Sequence, residues 1–191
     1  MYERFLQKLN EKVSLLPEEE DYIREKLTFK KLRRRQYLLQ DGDICKSIAF
    51  VEKGALKAYL LDEKGNEHIT AFAFEGWTMA DLYSFFREEP ATLNIDAVED
   101  CELVMISKAA HEELLDQLPK YERYIRLLMT DAYIALQRRT AQMNQSSEER
   151  YLAFLDIYPD IAQRIPQHMI ASYLGLSPET VSRLRSRMSK K

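Results

Sequence analysis

Apolar residues open the chain at helical spacing. Phe5, Leu6, Leu9 and Val13 recur at three- and four-residue steps, and Pro17 followed by Glu18, Glu19 and Glu20 sets a proline at a first helical position with acids in the first turn. Residues 1–27 therefore read as two short helices. From Thr28 to Ser107 the period shortens toward two. Apolar runs at Tyr37–Leu39, Ser47–Val51, Leu56–Leu60, His68–Phe74, Leu93–Val98 and Leu103–Ile106 are separated by turn signals at Asp41-Gly42-Asp43, Lys53-Gly54, Lys64-Gly65-Asn66 and Glu75-Gly76. Strands spaced this way predict an antiparallel sandwich or roll.

After Ser107 the helical period returns, first in a short segment through Leu114 and Leu115, then from Pro119 onward. Leu118, Tyr121, Ile125, Leu128, Ala132 and Ala135 alternate three- and four-residue steps, as in a coiled-coil seam, and Met129, Tyr133, Leu136 and Met143 form a second apolar row. A helix with two apolar faces can pack on its own domain with one and on a second copy with the other. Burial within a monomer is the alternative, and the small Ala132 and Ala135 favour a dimer. Ser146 with Glu149 forms a capping-box signature for the next helix, through Leu155, which Pro159 is expected to end. A domain boundary is expected between Gln142 and Ser147.

The most specific pattern lies near the C-terminus. Ile170, Ala171 and Leu174 give one helical face, Gly175 suits a left-handed C-terminal residue, and Leu176 follows as an apolar plug. Ser177 then suits an N-cap, Pro178 a first helical position, and Thr180, Val181 and Leu184 continue a second helix. Helix, glycine-containing turn and capped helix make a helix-turn-helix. Its second helix carries Arg183, Arg185 and Arg187, with Lys190 and Lys191 beyond.

Charge changes the picture. The formal net charge of −3 conceals 24 acids against 16 bases up to Gln117 and 7 against 12 from Leu118 to Lys191. A basic end on an acidic chain is what a nucleic-acid contact confined to that end needs, although a solvated basic helix end would look the same. Glu179 and Arg183, four residues apart, could form a surface ion pair; within a complete helix-turn-helix they suit base edges, glutamate accepting from cytosine and arginine donating to guanine.

Composition excludes several classes. Charges interrupt every apolar stretch before the roughly 20 residues a bilayer span needs, and the N-terminus lacks a signal-peptide core, so neither membrane nor export is expected and the location is cytoplasmic. Cys45 and Cys101 are too few and too far apart for an iron–sulfur cluster and fit free thiols in a reducing compartment. His68, His111 and His168 lack ligand spacing and read as surface or capping residues; with only His68 in the strand region, no catalytic residue, metal or cofactor is expected, and the chain is not an enzyme.

The stretch Ala171-Ser-Tyr-Leu-Gly-Leu-Ser-Pro-Glu-Thr-Val-Ser-Arg183 resembles the helix-turn-helix of the Crp/Fnr family of bacterial transcription regulators. The resemblance extends over nearly the whole chain, with turn glycines matched at Gly42, Gly54, Gly65 and Gly76. It implies an α+β architecture: a cyclic-nucleotide-binding-like antiparallel β-roll (double-stranded β-helix) over 1–117, a long dimerisation helix over 118–145 and a winged-helix-like helix-turn-helix domain over 146–191. By resemblance the residues matching Glu179 and Arg183 touch bases, and those matching Ser177 and Thr180 touch phosphates. With Arg185 and Arg187 these make up the expected DNA-binding set, and Ile125, Leu128, Ala132 and Ala135 the dimer helix. Pro178 replaces a further base-reading arginine of many members, so the family's usual operator sequence is not implied. Because the chain stops at Lys191, directly after the second helix, no β-hairpin wing is expected.

The same resemblance places the effector pocket. Cyclic-AMP-binding members carry a Gly-Glu-Leu stretch and, about ten residues on, an arginine that pairs with the cyclic phosphate. Here Ala80-Asp81-Leu82 and Ala91-Thr92 stand at those places, and the arginine is missing. Tight binding of cyclic AMP is therefore not expected, since a buried phosphate without its cation loses a charge-assisted contact. Arg87 is a substitute of last resort. The aromatic residues Trp77, Tyr83, Phe85 and Phe86, with Ser84, read first as core filling and second as the lining of a more apolar ligand pocket. The expectation is a homodimeric regulator of double-stranded DNA that binds a palindromic operator, responds to an unknown small-molecule effector or to none, and could touch RNA polymerase. A ligand-binding or protein-interaction module of the same fold without DNA binding is the alternative.

Overall fold

The computed structural model describes residues 2–158 and 163–188. The sequence-based expectations for Pro159, Lys190 and Lys191 lie outside these residues. By compactness the chain divides in two: residues 1–60 with 71–130, and residues 61–70 with 131–191.

In the first unit, helices α1 (Glu3–Lys12) and α2 (Pro17–Lys26) precede eight strands: β1 (Leu27–Leu32), β2 (Tyr37–Leu39), β3 (Ser47–Lys53), β4 (Leu56–Leu61), β5 (Glu67–Ala73), β6 (Thr78–Met79), β7 (Asn94–Ala97) and β8 (Cys101–Ser107). A short helix α3 (Leu82–Arg87) interrupts them, and α4 (Lys108–Gln117) and the long α5 (Pro119–Gln142) follow. The strands form two four-stranded sheets, ordered β1-β8-β3-β6 and β2-β7-β4-β5, as expected of an antiparallel roll. β1, β6 and α3 add to the elements predicted from periodicity.

Two apolar clusters explain why the strands read as continuous hydrophobic runs. Leu39, Ile48, Val51, Leu56, Ala58, Phe85, Ile95 and Leu103 fill the inside of the roll. On the other side, Phe50, Val104 and Ile106 meet Phe5, Leu9, Ile23, Leu114 and Tyr121 of the surrounding helices. Successive residues of β8 thus face two different dry surfaces, so alternation with polar residues disappears. Phe5 and Phe50 stack edge to face at 5.2 Å, and the Glu52 carboxylate accepts from the Phe5 amide at 2.8 Å, capping α1 from the sheet. Gly54 turns β3 into β4 at φ +96°; a Cβ there would lie 2.5 Å from the Asp100 carbonyl oxygen, so only glycine fits.

The second unit is helical apart from residues 61–70. The Asp131–Gln142 half of α5, α6 (Ser147–Ile157), α7 (Gln167–Leu174) and α8 (Pro178–Met188) build it. Its core holds Tyr151, Phe154, Tyr158, Ile165, Ile170, Ala171, Val181 and Leu184, all buried. Ser146 caps α6, its hydroxyl accepting from the Glu149 amide while the Glu149 carboxylate accepts from the Ser146 amide at 2.8 Å. No described helix is long and apolar enough to cross a membrane.

Candidate DNA-binding face and effector cassette

The turn between α7 and α8 follows from local chemistry. Gly175 adopts φ +64°, its amide donates to the Ser172 carbonyl, and the Leu176 amide donates to the Ala171 carbonyl. This pair of bonds is a Schellman motif, which ends a helix where glycine accepts the left-handed conformation. Ser177 then caps α8: its hydroxyl accepts from the Thr180 amide at 3.2 Å. Pro178 occupies the first helical position, where a missing N–H costs nothing.

Val181 and Leu184 anchor α8 to the core, which fixes what the helix presents. At about 100° per residue, Glu179, Arg183 and Arg187 fall within roughly 80° of one another, Glu179 and Arg183 away from the anchors and Arg187 with Thr180 toward the edge. Glu179, Arg183 and Arg187 are exposed, as is Ser177. Arg183 Nη2 donates to the Thr180 hydroxyl at 3.3 Å, which holds the guanidinium along the helix. Hydrogen bonds from its own backbone and from Ser177, together with the Arg183 charge, hold the Glu179 carboxyl below the usual range, so it is ionised at neutral pH. Arg185 is also exposed but lies about half a turn from Arg183, on the flank beside Val181. The structure thus brings Ser177, Glu179, Thr180, Arg183 and Arg187 together and sets Arg185 apart.

The cassette residues are distributed unevenly. Asp81 is buried and caps α3, its Oδ1 accepting from the Ser84 amide at 3.0 Å. Ser84 in turn accepts from the Cys45 amide at 2.9 Å and donates to the Glu89 carbonyl at 2.6 Å. Ala91, 2% exposed, packs in the roll interior with Phe85, and its amide and carbonyl bond to Asp43 and Gly42. Ala80 packs partly against the same core, whereas Leu82, Thr92 and Arg87 are exposed. Elsewhere in the roll, buried Lys57 on β4 lies 3.6 Å from Asp96 and over the Tyr59 ring at 4.2 Å.

Two expectations need correction. Core filling holds for Phe85 and Ser84 only; Tyr83 and Phe86 are exposed because six-residue α3 has one inward side, and Trp77, in the turn before β6, is exposed as well. His111 is not a surface residue. It is buried on α4, its Nδ1 lies 2.9 Å from the Tyr121 hydroxyl, and its ring stacks edge-on against Phe85. Burial lowers its pKa, and the neighbouring Glu112 opposes that shift. His68 is exposed and meets Asp62 at 3.2 Å, and His168 is exposed at the start of α7. Among the described residues no group of three His, Cys, Asp or Glu could hold a metal ion. Cys45 and Cys101 are free and buried, and burial raises both thiol pKa values.

Along α5 the seam divides. Tyr121 is buried, and Ile125 and Leu128 pack partly against the first unit's helical core. Ala132 and Ala135 are exposed, and so are Tyr133 at 62%, Ile134 at 43%, Leu136 at 59% and Met143 at 70%. Sequence reasoning missed Arg139 and Arg150, whose guanidinium groups reach the end of α7; their partners lie 34 and 24 residues away.

The cyclic nucleotide-binding domain family matches residues 29–118. The regulatory protein HlyX of Actinobacillus pleuropneumoniae is 30% identical over 179 residues, covering 84% of this chain and 71% of that protein. The chain belongs to the Crp/Fnr family of transcription regulators. The fumarate and nitrate reduction regulatory protein of Vibrio cholerae is 29% identical over 175 residues, covering 84% of this chain and 68% of that protein. Among solved structures, FixK2 from Bradyrhizobium japonicum shares the fold with a TM-score of 0.73 at 18% identity, covering 86% of this chain and 85% of its own. The catabolite activator protein of Thermus thermophilus does so at 0.57 and 20%, covering 96% and 87%. This Crp/Fnr chain shares its fold with both solved structures.

Proposed function

We propose that this Crp/Fnr protein acts as a homodimer on an inverted-repeat operator, reading bases with α8, and that its effector is not cyclic AMP. One observation carries the reading: α8 is anchored by Val181 and Leu184, and its other side exposes an ionised Glu179 beside Arg183 and Arg187. A helix so fixed can enter the major groove, where arginine can donate twice to guanine and glutamate can accept from cytosine N4–H. Ser177 and Thr180, at the helix start, are assigned to phosphates.

The exposed apolar row on the C-terminal part of α5 supports the dimer. It belongs to the same compact unit as α7 and α8. Pairing this segment with a second copy would therefore set the separation of two recognition helices, and successive major grooves lie about 34 Å apart. A signal that altered the pairing would alter DNA affinity, and DNA would alter affinity for the signal by the same factor.

Arg183→Ala tests the base-reading assignment. It should relax preference at one position per half-site, costing roughly 1–3 kcal/mol there, while leaving weak non-specific binding in place. A variant with the parent's full sequence preference, measured by competition among single-base operator variants, would remove Arg183 from the reading set. A parent protein that binds no duplex selectively would leave the interaction-module alternative.

A further inference from the structure

An α-helix leaves its last four carbonyl groups without intrahelical donors, and each buried one needs a partner from elsewhere. In α7 these belong to Ala171, Ser172, Tyr173 and Leu174. The Schellman turn satisfies the first two through the amides of Leu176 and Gly175. The other two are met by arginines. Arg150 Nη1, from α6, donates to the Leu174 carbonyl at 2.8 Å. Arg139 Nη2, from α5, donates to the Tyr173 carbonyl at 3.4 Å. The Arg139 guanidinium also lies over the Tyr173 ring, 4.2 Å from its centroid, and its Nη1 donates to the Thr70 carbonyl.

We propose that Arg139 and Arg150 are positioning residues for DNA reading: together they clamp the C-terminal end of α7 and so fix the turn from which α8 departs. The inference rests on the reading of α8 as the recognition helix. Two cations at the negative end of a helix dipole are favourable in themselves. Their origin matters more. One comes from each side of the short α5–α6 connection, so the end of α7 is held by both helices at once, close to Gly175, whose nearest side-chain neighbour for an added Cβ is Arg150 at 3.8 Å. Arg139 lies on α5 between the exposed Leu136 and Met143, which puts the clamp on the segment proposed to pair with a second copy.

The two arginines do different work. Arg139 combines stacking with two diverging hydrogen bonds, which needs a planar fork that lysine lacks. Arg150 uses one nitrogen on one carbonyl, and its buried Nε has no hydrogen-bond partner among the described residues. Lysine can replace the second role and cannot replace the first.

The test compares Arg139→Met, Arg139→Lys, Arg150→Met and Arg150→Lys in the full chain, reading amide exchange at Gly175 and Leu176 and the ratio of operator to random-duplex affinity. Both methionine variants and Arg139→Lys should speed exchange of those two amides at least tenfold with α6 core amides unchanged, and Arg150→Lys should stay near the parent. The same three variants should lose about tenfold in operator affinity while keeping random-duplex affinity and its salt slope, because positioning affects base reading and not phosphate contact. Unchanged turn exchange would overturn the proposal, as would a salt slope lowered by about one per arginine, the mark of direct phosphate contacts. So would a uniform rise in exchange throughout the unit, which would make the arginines general stabilisers. The exchange arm stands whether or not the protein selects a duplex, so failure of the DNA reading is separately visible.

Discussion

Ala91 carries more consequence than any other single residue of the roll. By the resemblance it is matched to the arginine of cyclic-AMP-binding members; it is buried, and its neighbours Asp43 and Gly42 already hold its backbone. Asp81, which the same resemblance matches to the cassette's acidic residue, is committed to capping α3. A cyclic phosphate brought here would exchange water for apolar Phe85 and Ile95 beside the Asp81 carboxyl, while buried Lys57 already faces Asp96 at 3.6 Å. Calorimetric titration with cyclic AMP should therefore give no binding in the low-micromolar range; a dissociation constant at or below that range would show that another group supplies the charge.

At the scale of elements, helix α5 decides assembly. Leu136 and its neighbours on the C-terminal half are exposed, whereas Tyr121, Ile125 and Leu128 pack in the first unit's helical core. Leu136→Glu puts a charge into the proposed pairing face without touching either core. It should weaken dimerisation at least tenfold, about 1.4 kcal/mol, in sedimentation equilibrium while leaving helix content intact. A dimer as tight as the parent's would place the interface elsewhere. The longer helices and the caps Ser146, Gly175 and Ser177 were legible in sequence because caps and periods are local, each cap acting on residues within four positions. β1 was not. Its Leu-Thr-Phe-Lys-Lys-Leu run has two adjacent lysines, and pairing with β8, 69 to 79 residues on, makes it a strand. Six-residue α3 is too short to show a period and depends on the Asp81 cap.

At the scale of the molecule, the charge asymmetry and the arrangement of the second unit point the same way. The basic excess beyond Leu118 is partly spent internally, since Arg139 and Arg150 bind carbonyls, and partly exposed on α8. Composition could not distinguish these uses. A guanidinium meant for a helix end and one meant for a groove look alike until the fold shows which carbonyls lack donors. The exposed side of α8 was legible for the opposite reason, because Val181 and Leu184 fix it by helical spacing alone. Selection of duplexes from a random pool by the full-length protein tests the central claim most directly. Two inverted half-sites with centres about one helical turn apart should emerge, bound by two chains. Enrichment of a single half-site, or of no sequence at a salt concentration low enough to keep phosphate contacts, would contradict it.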